Sequence, residues 1–346
     1  MFLAINAAFI LLINNKGVNM NNLKKVGLSA LAGSLVAFSA NAVDMSVTGT
    51  AEVTYTTVGG STANTGNPFG ANNSVKFSGS GDVGVGTATI TRTINDSVGS
   101  EWLSAWMTLD MGSMGKLSLD SVGGDLEGVG PKDDNLPTAY EEVWTGVSSS
   151  GIAGAASNDT IGYSNSFAGV TLSLARSSQG TANTGDGGSD GPGVTQTVSD
   201  YHVTAAVPYV EGLTVQYGRS TIDFAAAGEN DDVYHVGHLL YSTGPVSVGY
   251  RYGTFEDGSN GSNAHEMEAY AVAFNVNDEM SVSFATQDKT YDVASGTDVT
   301  ETSDAINASY TMGAMTFRGT IGEADNAGGI TSTTDEHMEL SMLLAF

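Results

Sequence analysis

Residues 338–346 read MELSMLLAF. Apolar side chains stand at Met338, Leu340, Met342, Leu344 and Phe346, every second position. A two-residue period places all of them on one face of a β-strand. The chain around this strand is acidic and rich in glycine, with a net charge of −26, 45 Gly, 38 Asp+Glu against 12 Lys+Arg, and no Cys. Such a composition supports neither a nucleic-acid partner nor disulfides, a thiolate metal site or a cysteine nucleophile.

The same rhythm recurs along the chain. In MSVTGTAEVTY (45–55), Met45, Val47, Gly49, Ala51, Val53 and Tyr55 share one face, and Ser46, Thr48, Thr50, Glu52 and Thr54 the other. SVKFSGSGDV, VTAAVPY, LTVQYG, VSVGYRYG, AYAVAFNV, MSVSFATQ and MTFRGTI alternate in the same way. Sixteen segments result, near 44–56, 73–83, 85–95, 101–111, 114–121, 159–165, 169–177, 198–209, 212–223, 231–242, 245–255, 264–276, 279–290, 301–312, 314–323 and 335–346. Most are about ten residues long, the length a tilted strand needs to cross a bilayer.

Connections between segments alternate short and long; only 96–100 is short where a long one belongs. Segregated loop lengths are the mark of a transmembrane barrel. The closing rhythm of MELSMLLAF then has a reason. In lipid every backbone N–H and C=O must be paired, so a membrane-spanning sheet must close, apolar outward and polar inward. The spacing predicts an all-β chain, a 16-stranded antiparallel transmembrane β-barrel, with 338–346 pairing to the strand that starts at Val43. Tyr163, Tyr209, Tyr241, Phe274 and Tyr310 stand just before short turns and suit an interfacial aromatic belt.

Residues 20–42, MNNLKKVGLSALAGSLVAFSANA, read as a signal peptide: Lys24 and Lys25, an uncharged apolar stretch, and Ala40-Asn41-Ala42 as a small-x-small cleavage site. Residues 1–19 form an extension upstream of a plausible start at Met20. The expected mature barrel, 43–346, keeps 9 basic and 38 acidic residues, net −29.

Two stretches carry a family resemblance. EWLSAWMTLDMGSMGKLSLDS (101–121) resembles the paired strands before the constriction loop of Gram-negative general diffusion porins. NDTIGYSNSFAGVTLSLA (158–175) resembles the stretch after that loop, and Phe346 is similar to the family's terminal assembly signal. The chain departs from the pattern at Asp120-Ser121, where Gly-Arg is usual, at Ser341, where Gly is usual, and at Leu344, where Tyr or Trp is commoner. The resemblance implies a homotrimer with an inward-folded third extracellular loop. It implies outer-membrane lipid, lipopolysaccharide and the outer-membrane assembly machinery as partners, and passive diffusion of small polar solutes and ions.

The longest connection, 122–158, carries Asp125, Glu127, Asp133, Asp134, Glu141 and Glu142 against Lys132 alone. Folded inward, it sets an acidic rim at the constriction; the competing reading is a solvated surface loop. Lys76, Arg251, Lys289 and Arg318 fall on the polar parity and form a candidate basic pore wall, with rim salt bridges as the alternative. Arg176 and Arg219 follow the apolar parity and would meet lipopolysaccharide phosphates, unless a bulge turns them inward; the orientation of Arg92 stays open.

No catalytic residues are expected. GSGDVG (79–84) lies between alternating strands, not before a helix, so it reads as a hairpin turn. His235 and His238, three apart on a strand, face opposite ways. No cofactor is expected, although the clustered oxygens of DGGSDG (186–191) and FEDGSNG (255–261) are of the type that bind Ca²⁺. The functional reading is a water-filled, cation-preferring diffusion channel. A substrate-selective outer-membrane channel and a secreted β-rich adhesin are the alternatives.

Overall fold

A computed structural model describes residues 44–61, 66–95, 102–122, 135–151, 160–180, 194–225, 230–258, 264–293 and 296–346. The expected signal segment 20–42 and the extension 1–19 lie outside them. The strands are β1 (Asp44–Gly60), β2 (Phe69–Asp82), β3 (Thr87–Asn95), β4 (Trp102–Asp110), β5 (Lys116–Val122), β6 (Thr160–Phe167), β7 (Val170–Gly180) and β8 (Val194–Ala206). They continue as β9 (Leu213–Phe224), β10 (Asp232–Thr243), β11 (Val246–Glu256), β12 (His265–Asn275), β13 (Met280–Tyr291), β14 (Val299–Met312), β15 (Met315–Asp325) and β16 (Thr334–Ala345). Each pairs antiparallel with its sequence neighbours, and β1 pairs with β16, which closes the sheet into a barrel.

Seven short connections gather at one end: 83–86, 111–115, 168–169, 207–212, 244–245, 276–279 and 313–314. Local chemistry makes them tight. The carboxylates of Asp82 and Asp110 accept the backbone N–H of Gly84 and Gly112, at 2.7 and 2.8 Å, the side-chain turn that Asp favours. Ala168 and Gly169 both have positive φ, 51° and 83°, which a two-residue hairpin requires.

The two parities separate as the alternation predicts. Outward-facing Ile306 (60% exposed), Ile321 (62%) and Leu340 (54%) contrast with inward-facing Asn307 (1%), Ser303 (0%) and Arg251 (0%). Tyr241, Phe274 and Tyr310 project outward near the turn end. Tyr209 lies within the 207–212 turn itself and is fully exposed. β1 and β2 run four residues further than the alternation indicates, to Gly60 and from Phe69. Backbone pairing continues there, Gly60 with Asp335 and Tyr55 with Phe69, through residues such as Thr57, Gly59, Gly70 and Asn72 that break the alternation, with the Tyr55 and Phe69 rings packed edge-on at 5.4 Å.

The closing seam ends at Phe346. Its N–H donates to the Gly49 carbonyl at 3.0 Å, and the Gly49 N–H donates to its carbonyl at 2.7 Å. A Cβ at Gly49 would lie 2.5 Å from the ring, so the missing side chain is the seat of the aromatic. Gly49→Leu should expel the ring and unsettle the seam. The expected result is a loss of about 1–3 kcal/mol, read as a lower temperature for conversion from the folded to the unfolded band on unboiled gels.

Candidate functional site

The inner face of β11–β16 is covered by residues 135–151. The covering segment is held from both ends and along its length. Asn135 donates to Gln216 of β9 at 3.0 Å. The Ala139 N–H donates to the Ser283 hydroxyl of β13 at 2.9 Å. Glu141 and Asn307 of β14 exchange two hydrogen bonds, backbone N–H to Oδ1 and Nδ2 to the backbone carbonyl, both 3.1 Å. The Ser148 N–H donates to Asp335 of β16 at 3.1 Å. Each satisfies a main-chain or amide group that would otherwise be buried without a partner.

Apolar contacts complete the seat. Leu136 and Val143 pack with Ala269, Ala271, Ala285 and Ala305, with Trp144 and Leu240 alongside. These alanines occupy the polar parity of β12, β13 and β14, where the closed barrel leaves room for a second layer. Gly249 of β11 is part of it: a Cβ there would meet Pro137 Cδ at 2.6 Å and Leu136 Cδ2 at 2.8 Å.

Three of the four basic wall candidates lie against this segment. Arg251 is 0% exposed. Its guanidinium lies 4.5 Å from the Trp144 ring centre and donates to Gln287 and to the Met267 sulfur. Arg318 lies 4.3 Å from the Tyr140 ring centre and pairs with Glu52, which also accepts from Ser341. Lys289, 4% exposed, donates to the Ser150 hydroxyl at 2.8 Å and sits 5.0 Å from the Tyr291 ring centre. Lys76 stands apart on β2, exposed, 5.5 Å from the Trp106 ring centre. An aromatic face attracts a cation through its quadrupole, most strongly where water is excluded.

The acidic candidates divide. Asp125, Glu127, Asp133 and Asp134 lie outside the described residues; Glu141 and Glu142 are on the covering segment, half-buried. Burial holds the Glu141 carboxyl above its ordinary range, and the negative charge of Glu339 adds to the effect. Tyr140 donates to Glu339 at 2.5 Å; burial, then this bond, pushes its phenol up.

Sequence reasoning missed the aromatic partners Tyr140 and Trp144 and the alanine seat. A signal was present: small apolar residues on the polar parity of three adjacent strands have no reason to face open water. The candidate Ca²⁺ loop 186–191 and residues 259–261 of the second stretch lie outside the described residues. Among those described, no group of three or more His, Asp or Glu is placed to hold a metal.

The remaining arginines resolve cleanly. Arg92 is opposite Phe77, Arg176 opposite Ile161 and Arg219 opposite Tyr201, all on the outward parity. The only register shift between β7 and β8 falls at Gln179/Gly180, loopward of Arg176, and β9 has none.

Removing the Trp144 ring should release the cap on Arg251 while leaving the barrel intact. For Trp144→Ala, a loss of roughly 2 kcal/mol at a desolvated cation–aromatic pair corresponds to proteolysis within 135–151 rising about tenfold or more. An unchanged digestion rate would mean the cap does not hold the segment.

A family model described as Gram-negative porin matches residues 27–342. No curated protein sequence matches the chain. Among solved structures, OmpT of Vibrio cholerae in its trimer form aligns with a TM-score of 0.63 at 13% identity, covering 88% of this chain and 100% of that one. An anion-selective porin from Comamonas acidovorans gives 0.63 at 15% identity, covering 88% and 100%. OmpF of Salmonella typhi, in complex with daunomycin, gives 0.62 at 12%, covering 87% and 97%. At these identities the likeness is one of fold.

Proposed function

This chain belongs to the Gram-negative porin family, and from that membership we propose that it forms a water-filled, cation-preferring channel for passive diffusion of small hydrophilic solutes, narrowed by residues 135–151. Family and fold make it an outer-membrane, multi-pass β-barrel and a transport protein; neither favours an adhesin. We assign it no catalytic step and no cofactor.

The observation that carries the cation preference is the fate of the basic wall. Arg251 and Lys289 are buried beneath the covering segment, and Arg318 is neutralised by Glu52. Positive charge on that side is thus withdrawn from the water path. The expected mature chain meanwhile carries −29, of which 122–158 supplies six carboxylates against one Lys. A passage with excess charge of one sign concentrates its counter-ions, more so in dilute salt, where the Debye length is ~30 Å at 0.01 M. A structural neighbour described as anion-selective shares the fold, so ionic sign belongs to the side chains and not to the barrel.

Zero-current potentials across a KCl gradient should show K⁺ preference that shrinks as salt rises. Neutralising Asp133, Asp134, Glu141 and Glu142 together should reduce or reverse it; an unchanged potential would remove 122–158 from the constriction. The Glu141 carboxyl is held above its ordinary range, so it keeps its proton to a higher pH than a free glutamate. Cation preference should therefore keep rising with pH beyond the usual carboxylate range, and Glu141→Gln should remove that upper part of the rise.

For assembly we propose a homotrimer joined through the early strands. Their outward face includes small residues, Ala51 on β1 and Gly79 and Gly81 on β2, which allow close approach of barrels; the space at Gly49 is taken by the Phe346 ring. Phe346 is proposed as the group read by the outer-membrane assembly machinery. Cysteine at Gly79 should crosslink to trimers, while cysteine at Phe274 should not; the opposite pattern would place the contact wall elsewhere.

A further inference from the structure

The outward sheet face of β12–β16 is acidic. Its outward parity carries Glu266, Glu268, Asp288, Asp304, Glu323 and Glu336. Arg251, Lys289 and Arg318 are the only Lys or Arg residues on β11–β16, and all three stand on the inward parity. Three cross-strand partners are acid against acid: Glu268 with Asp288, Asp304 with Glu323, and Glu323 with Glu336. Like charges directly opposite one another are destabilising. The hydrogen bonds these carboxylates accept come from neutral hydroxyls. Tyr250 and Tyr270 both donate to Glu268 at 2.8 Å, and Thr302 donates to Asp288 at 2.7 Å. A hydroxyl orients a carboxylate and leaves its charge in place. Among the described residues no three acids converge to hold a metal ion, so what relieves this repulsion is a facing surface with fixed bases.

The same chain carries such a surface elsewhere on its circumference. Arg176 on β7 and Arg219 on β9 stand on the outward parity, with His235 of β10 directly opposite Arg219. Against them, the described residues of β7–β10 set one outward acid, Asp223, four residues loopward of Arg219. The heights of the two faces agree. Glu268 is seven residues from the turn-side end of its strand, Asn275, and Asp288, Asp304 and Glu323 are each eight from theirs, Met280, Met312 and Met315. Arg176 and Arg219 are each six residues from Val170 and Leu213. Two residues of a strand tilted by ~40° are about 5 Å along the membrane normal, a step that an arginine stem covers by extending loopward. All copies of a membrane barrel insert with the same end up, so faces of two copies meet only where their heights match.

We propose that the acidic face of β12–β15 docks a second copy of this chain, through the Arg176–Arg219 face of that copy's β7–β9. The guanidinium fork donates in pairs to carboxylate oxygens, and the partly dehydrated membrane interface screens such pairs less than water does. The two faces are centred near β14 and β8, six strands apart round the closed sheet of sixteen. They are different surfaces, so the contact is heterologous, and each barrel uses one face without blocking the other. Contacts of this kind extend instead of closing. Neither face includes β1 or β2, the wall proposed above for the trimer, so the contact joins one trimer to the next in the plane of the membrane and leaves the trimer as it is.

The proposal rests on the outer-membrane barrel and not on the channel's ionic preference, and its test reads no conductance. The chain has no Cys, so introduced thiols report alone. Ser199→Cys lies on β8 beside Arg176, and Ile306→Cys on β14 is two residues turnward of Asp304. The two variants are folded separately, then mixed in phosphatidylcholine vesicles with EDTA and treated with a short bismaleimide, so any 199–306 link joins separately assembled particles. A clear link is expected in dilute salt, falling several-fold in 0.5 M KCl. Arg176→Glu/Arg219→Glu in the first partner should lower the yield at least tenfold, as should Glu268→Lys/Asp288→Lys/Asp304→Lys/Glu323→Lys in the second. Combining the two reversed partners should restore it, which a folding defect in either could not do. Absence of the link, or equal yields with and without reversal, overturns the proposal. So does a link that forms only when Ca²⁺ and an anionic lipid are supplied, since lipid would then be what the acidic face meets.

Discussion

Backbone pairing in the absence of water is the constraint on which everything else in this molecule depends. In the bilayer core no solvent satisfies an exposed N–H or C=O, and each unpaired group costs several kcal/mol. A sheet therefore has to close. Closure is completed where β16 meets β1 and where Phe346 exchanges two backbone hydrogen bonds with Gly49. The seam is as much a matter of shape as of hydrogen bonding, because the ring of Phe346 occupies the space a side chain at position 49 would fill.

Closure also divides the side chains into two populations with separate tasks. Outward positions answer to lipid and to neighbouring proteins. Inward positions are free of that demand, so a second layer of chain can be laid on them. Residues 135–151 use this freedom: alanines on β12, β13 and β14 make a shallow apolar seat, while Ser283, Asn307 and Asp335 take up the segment's main-chain groups. Arg251, Lys289 and Arg318 then act through aromatic rings, a hydroxyl and one carboxylate. Charges that by parity alone would line water become fasteners for the segment.

Much of the architecture is legible in the amino-acid order. All sixteen strands appear as alternating stretches, and all seven short turns are marked by Gly, Asn, Asp or Pro nearby. The limits of that signal are physical. Around Gly60 and Phe69 the strands pair through Thr, Gly and Asn positions that break the alternation, and the Tyr55–Phe69 ring contact joins residues on different strands. The outward placement of Arg92, Arg176 and Arg219 follows from register, and register is only certain once the absence of a bulge beneath Arg176 and Arg219 is seen. At the candidate site, Glu141, Glu142, Arg251, Lys289 and Arg318 were identifiable by charge and parity. Their partners were not, since Trp144 and Arg251 are far apart in the chain and meet only across the barrel.

The sequence by itself determined the fold class, the number of strands, the end at which the short turns gather and which parity meets lipid. Each of these follows from periodicity two and from local turn chemistry, both of which act between residues a few positions apart. Only the tertiary structure decided where the seam's last ring sits, which polar-face residues are covered, and that Arg251 and Lys289 are buried and not bathed in water. Those outcomes depend on contacts between segments a hundred or more residues apart, such as Ala139 with Ser283 and Tyr140 with Glu339. No local pattern encodes them, because closing the barrel is what brings the two sides together.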